Sequence, residues 1–239
     1  MEKNANCQVL PWIANNLVLN KRAFTLIELL VVIAIMTVVT SVVVMTSGGL
    51  TNSRAIPAAL DDIGGVLEQA KAYAMANNTY VFVGFTEVDA LNVTQPGIGR
   101  ILLVTMGSMD GTKDFGTNQS NLTMLFKPLV LKGVHFADSL PNSGSMSRPV
   151  VPDPYRLGNM AFIAQNSFTS YVYQNQFTFT KIIQFDPRGV ASVQSDTISI
   201  QPWIEIGVIP AIGDTVGGTQ NCGALILDGM TGSVTTYRP

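Results

Sequence analysis

Charge, cysteine and histidine are all scarce in this chain. Lys, Arg, Asp and Glu make up 13% of its 239 residues, about half the usual share. The net charge is only −2, which excludes nucleic-acid binding by bulk charge. An apolar fraction of 47% excludes a disordered chain. Cys7 and Cys222 are too few for a disulfide scaffold or a four-cysteine zinc site. His135 is the one histidine, so Ser-His-Asp and Cys-His chemistry has a single candidate base. The G-x-S-x-G, H-E-x-x-H and Walker A patterns are missing. Nothing here argues for an enzyme, a cofactor or a metal.

Hydrophobicity, in contrast, is concentrated. Residues 24–46 read FTLIELLVVIAIMTVVTSVVVMT, and their one charge is Glu28. As a helix rising ~1.5 Å per residue, this run matches the ~30 Å hydrocarbon core of a bilayer. Lys21 and Arg22 stand just before it, with Lys3 further back against Glu2. A basic flank stays cytoplasmic, so the chain beyond residue 46 is expected outside the inner membrane. A secretory signal has an apolar core of about 7–15 residues, and this run is longer. An acid inside a span marks function by default. The plainer alternative is a Glu that snorkels to the interface.

The ordered run Lys21-Arg22-Ala23-Phe24-Thr25-Leu26-Ile27-Glu28-Leu29-Leu30-Val31 resembles the prepilin cleavage and methylation motif of type IV pilins and type II secretion pseudopilins. The resemblance implies cleavage between Ala23 and Phe24 by a membrane prepilin peptidase, with Lys21 and Arg22 as the basic flank of the leader. It implies N-methylation of the new Phe24 amine. Ala23 departs from the usual Gly before the cut, so slower cleavage is expected. It further implies that the Glu28 carboxylate meets the Phe24 amine of a neighbouring subunit and sets axial register. Such pairing removes two unfavourable charges from an apolar setting together.

A second helical pattern follows Ser47-Gly48-Gly49, an expected flexible point. Ile56, Leu60, Ile63, Leu67, Ala70 and Ala74 share one face at spacings of three and four. Pro57 fits a first turn there, and Asn77-Asn78 ends the helix. From residue 79 the pattern turns to strands. They are expected at Thr79–Thr86, Gly99–Met106, Met124–Phe136, Thr178–Phe185, Thr197–Ile206, Gly223–Leu227 and Ser233–Tyr237. Turns are expected at Phe185–Val190 and Asp228–Gly232. The fold class is therefore α+β, and the resemblance implies the pilin-like form of it. A long N-terminal helix, membrane-spanning in its first half, packs on a C-terminal antiparallel sheet. The domains read 1–23 leader, 24–52 transmembrane and assembly helix, 53–78 amphipathic second half, and 79–239 β-rich periplasmic domain.

The helix end with the first strand (70–81), the turn at 183–189 and the last hairpin (224–238) resemble type II secretion pseudopilin H and FimT-type pilins. The resemblance implies a structural minor subunit of a pseudopilus or pilus-like filament in the bacterial inner membrane. Its implied partners are other pilins or pseudopilins, the prepilin peptidase and an inner-membrane assembly platform, with no nucleic acid. The alternatives are a membrane-anchored periplasmic binding module and a FimT-like DNA-uptake pilin. The DNA reading lacks its first arginine, because Ser233 stands there and Arg238 is the nearest base. Without residues 1–23, eleven basic face fifteen acidic residues, a net charge of −4. Asp110, Asp114 and Asn118 lie four apart in a Gly-containing loop, a weak calcium signal that a solvated loop explains as well. Two Pro/Gly/Asn/Ser-rich stretches, 108–121 and 137–158, read as long loops of functional type. Cys222 is expected buried, and His135 half-buried in a strand.

Overall fold

The computed structural model describes residues 25–115, 119–159, 167–193 and 201–238. The side chains of residues 41–53 lie outside that description. Helix α1 runs over Leu26–Asn77, but the chain divides into two compact units, Met1–Thr46 and Ser47–Pro239.

In the second unit, all six residues of the sequence-derived stripe are buried to 1% or less: Ile56, Leu60, Ile63, Leu67, Ala70 and Ala74. Ala59 joins them. Asp61, Asp62 and Glu68 stay exposed on the opposite side. Pro57 sits inside the helix, not in a first turn. The helix ends where Asn78 turns left-handed at φ 51°, and the Thr79 N–H reaches back to the Ala74 carbonyl. Asn tolerates that conformation better than most residues, which explains the stop.

The strands are β1 (Val81–Asp89), β2 (Gly99–Ser108), β3 (Leu122–Met124), β4 (Leu129–Lys132), β5 (Val134–Phe136), β6 (Phe168–Val172), β7 (Asn175–Phe179), β8 (Lys181–Phe185), β9 (Ala191–Val193), β10 (Trp203–Ile212), β11 (Thr215–Val216), β12 (Gly223–Asp228) and β13 (Val234–Tyr237). Every strand pair formed among them is antiparallel. One sheet has the order β3-β2-β1-β8-β9 with β4 also on β2. A second has the order β11-β10-β12-β13 with β5 on β10, and β6-β7 forms a separate ribbon.

The helical stripe packs on the inner faces of both larger sheets. Val81, Val83, Phe85, Ile101, Leu103, Ile183 and Phe185 come from the first, and Ile204, Ile206, Val208, Leu225 and Leu227 from the second. Burial does not alternate as a half-solvated sheet would have it. Strand β2 is buried at nine of ten positions and β10 at seven of ten. The reason is a further layer on each outer face. The β6-β7 ribbon and Phe115 cover the first sheet through Phe168, Val172, Phe177 and Phe179. Ala137, Leu140 and Met146 cover the second around Ile209, Cys222 and Ala224. Both stretches read from sequence as functional loops thus supply covering side chains.

Two expected strands are each split. Met124–Phe136 becomes β3, β4 and β5, interrupted at Pro128, which has no N–H, and at Gly133, which has φ 72°. Gly133 is a corner between sheets: its N–H donates to the Gly99 carbonyl, and its carbonyl accepts from the Ala211 N–H. Thr178–Phe185 becomes β7 and β8, which belong to different sheets. The expected Thr197–Ile206 begins outside the described residues, and its observed part continues as β10 through Gly207 and Pro210 to Ile212. Gly207 is required there because a methyl group would press on Leu140 and Ala137 of the covering loop.

Candidate functional site

The N-terminal apolar stretch is the region with chemistry to explain. Thr25 and Glu28 clasp each other at the helix start. The Thr25 N–H donates to Glu28 Oε2 at 2.8 Å, and Thr25 Oγ1 donates to the same oxygen at 2.9 Å. The Glu28 N–H points at Thr25 Oγ1 at 3.3 Å. This is a capping box, in which residue types T-x-x-E satisfy each other's backbone donors. The T-x-x-E spacing is visible in the sequence, whereas the motif resemblance implies only an intersubunit role for Glu28. The carboxylate also sits at the positive end of the helix dipole, where a negative charge is favoured. Residues 1–24 lie outside the described residues, and with them Lys21, Arg22, Ala23, Phe24 and Cys7.

From Leu26 to Val39 the large apolar side chains are exposed, from 48% at Val31 to 82% at Leu26. Leu30, Val31, Ala34, Ile35, Val38 and Val39 line a shallow apolar groove along one side. A bare apolar surface of this kind marks an interaction or membrane site. Two threonines along this helix hide their hydroxyls. Thr37 Oγ1 donates to the Ala34 carbonyl at 2.8 Å, and Thr40 Oγ1 to the Met36 carbonyl at 2.8 Å. Hydroxyls satisfied inside their own helix can enter a medium without water. Among the described residues no helix is long and apolar enough to cross a membrane. The expected span of 24–46 has side chains described only from 25 to 40.

The other candidates do not converge. Asp110 accepts from Thr112 N–H, Thr112 Oγ1 and Ser108 Oγ on one oxygen, at 2.8 to 3.0 Å, and from Asn121 Nδ2 on the other at 2.7 Å. The Thr112 backbone N–H leads in holding its carboxyl below the usual range. Its lone pairs pin the loop, and no group of three metal-ligating acids, histidines or cysteines forms among the described residues. Asn118 lies outside them. His135 stands on β5 with Nδ1 2.7 Å from Glu87 Oε1, the oxygen that accepts the Phe136 N–H. Arg238, the base nearest Ser233 in the alternative DNA-uptake reading, pairs with Asp61 across to the helix and reaches the Pro57 carbonyl.

Cys222 is 1% exposed, with Sγ 3.4 Å from Met146 Sδ. Burial pushes its thiol upward in pKa, and a protonated, shielded thiol is inert. A maleimide reagent at neutral pH is expected to leave Cys222 unlabelled in the folded chain and to label it once denatured. Rapid labelling of the folded chain would contradict the packing under Met146.

Comparison with known proteins accords with the helix. Residues 19–44 match the family described as the prokaryotic N-terminal methylation motif. That match supports a type IV pilin-like protein and is consistent with a membrane-anchored N terminus. No curated protein and no solved structure matches the chain.

Proposed function

We propose that this chain is a structural, non-enzymatic minor subunit of a type II secretion pseudopilus or related type IV pilus-like filament, of the pseudopilin H or FimT type. The observation that carries the reading is the matched motif at 19–44 falling on an exposed apolar helix with Glu28 as its sole charge up to residue 46. In this reading the prepilin peptidase cuts between Ala23 and Phe24, and the new Phe24 amine is methylated. The apolar helix resides in the inner membrane, with the β domain in the periplasm, until it joins other pilins on an assembly platform. Packing between helices, rather than a hydrophobic difference from lipid, then holds the bundle. Glu28 exchanges its local clasp with Thr25 for the Phe24 amine of a neighbour. Thr25 directly follows Phe24 in the chain, so the carboxylate is already at the end of the helix that carries the amine.

The test is mass spectrometry of the mature N terminus from native membranes. A chain that begins at N-methylated Phe24 is expected. A chain that begins at Met1, or after residue 46, would overturn the reading and favour an anchored or released binding module. Glu28→Val is then expected to leave cleavage unchanged and to reduce recovery in sheared filaments severely, which immunoblotting of the filament fraction reads out.

A further inference from the structure

The β6-β7 ribbon, residues 168–179, reads FTSYVYQNQFTF, with no charge, proline or glycine. Such a segment on an open edge readily pairs with another strand. Its turn residues Tyr173 and Gln174 are both left-handed, at φ 51° and 66°. Two-residue hairpins need that conformation but usually fill it with Asn or Gly.

The two edges of the ribbon differ. The Thr169 N–H points away from β7 and donates to Gln119 Oε1 at 2.9 Å, and Thr169 Oγ1 donates to the same oxygen. The β6 edge is therefore capped by a side chain. Thr169 faces Thr178 in the ladder, and Tyr171 faces Gln176. In an antiparallel pair, residues opposite an outward-pointing position also point outward. The N–H and C=O groups of Gln176 and Thr178 thus face away from β6. Among the described residues they meet no partner, since β7 pairs with β6 alone.

The other strand edges among the described residues are blunted. Strands β3, β5 and β9 have three residues and β11 has two. Strand β4 ends on Lys132, and β13 runs into Arg238. Strand β7 has five residues and no such guard.

We infer that the β7 edge is a strand-addition site whose occupant is the β7 strand of a second copy of this chain. The sequence Gln176-Phe177-Thr178 is self-complementary about a twofold axis at Phe177. Gln176 then faces Thr178 of the other copy, and Thr178 faces its Gln176, each pair exchanging both backbone bonds. Phe177 and Phe179 stay buried against the first sheet, while Gln176 and Thr178 remain on the solvent side. The uncharged strand meets no like-charge repulsion, which a second copy would otherwise guarantee. The contact adds one antiparallel strand pairing between two copies. It concerns the β domain alone, so it stands or falls separately from assembly through the N-terminal helix.

The test uses the full chain in detergent, with Cys7→Ser so that the leader contributes no thiol. Gln176→Cys copies are mixed with Thr178→Cys copies under mild oxidation. The mixture is expected to form a disulfide-linked dimer roughly tenfold faster than either variant alone, because the opposed pair lies within the Cα reach of a disulfide and the like pairs do not. Equal rates in all samples, or no dimer, would overturn the inference. A second measurement avoids cysteine. Q176K/T178K copies and Q176E/T178E copies are each expected to sediment with less dimer than the native chain, and to recover it when mixed. A mixture no more dimeric than its components would also overturn it.

Discussion

Arg148→Ala is expected to destabilise the β domain by about 3–5 kcal/mol, the usual cost of stranding a buried charge. Arg148 and Glu205 side chains are only 2% and 3% exposed. The guanidinium grips both carboxylate oxygens, Nη2 to Oε1 at 2.9 Å and Nε to Oε2 at 3.1 Å. Its Nη1 also donates to the Pro141 carbonyl at 2.5 Å. The Arg148 backbone exchanges hydrogen bonds with the Asn142 side chain. One arginine therefore folds the 137–158 stretch back on itself and fastens it to β10. Removal of the guanidinium leaves Glu205 charged beneath that cover. Chemical unfolding followed by near-ultraviolet circular dichroism measures the loss. The paired change Arg148→Met with Glu205→Leu is expected to recover most of it, since an apolar pair of similar volume has no charge to desolvate. A loss well under about 1 kcal/mol for the single change would mean that the pair is open to water.

The second large effect is expected at Gly84 and Phe168. A methyl group built on Gly84 in β1 would overlap the tip of the Phe168 ring and press on Phe179 Cβ. Phe168 stacks on Phe179 with centroids 5.1 Å apart and meets Phe115 edge-on at 6.0 Å. Phe168→Ala is expected to cost about 3–5 kcal/mol through the cavity it leaves. Gly84→Ala is expected to cost about 1–3 kcal/mol through overpacking. The two sites share one space, so the double variant should lose less than the sum of the singles. Strict additivity in unfolding experiments would show that the ring does not rest over Gly84.

These two sites also show where the sequence was legible and where it was not. The helical stripe from Ile56 to Ala74 could be read directly, because a 3.6-residue period leaves an unmistakable face. The turns at Asp186 and Asp228 were legible for a similar reason. Each Asp caps backbone N–H groups just beyond it, and Gly189 and Gly232 take positive φ. Strand continuity was harder. Nothing local distinguishes Phe179-Thr180-Lys181 as a passage between sheets, or Gly133 as a corner, since partners distant in sequence decide both. The stretch at 137–158 reads from its Pro/Gly/Asn/Ser-rich composition as a long functional loop. Its role depends on Leu140, Met146 and Arg148, which become meaningful only when β10 lies beneath them. At the N terminus the motif was legible, while the Thr25–Glu28 clasp was overlooked beside it.

The sheet order has a consequence for how the chain comes into being. Strand β1 takes β2 as one neighbour soon after synthesis, but its other neighbour is β8, with Val81 opposite Phe185. About a hundred residues separate those partners, a long loop to close and a source of slow folding. The first sheet therefore cannot be completed until β8 and then β9, which ends at Val193, have emerged, and the second must wait for β12 and β13 near the end of the chain. Until then the greasy inner faces of β1 and β2 have only the helix to shelter them. A β domain threaded across a membrane in order of synthesis would arrive with its sheets still open, and would complete its fold only on the far side.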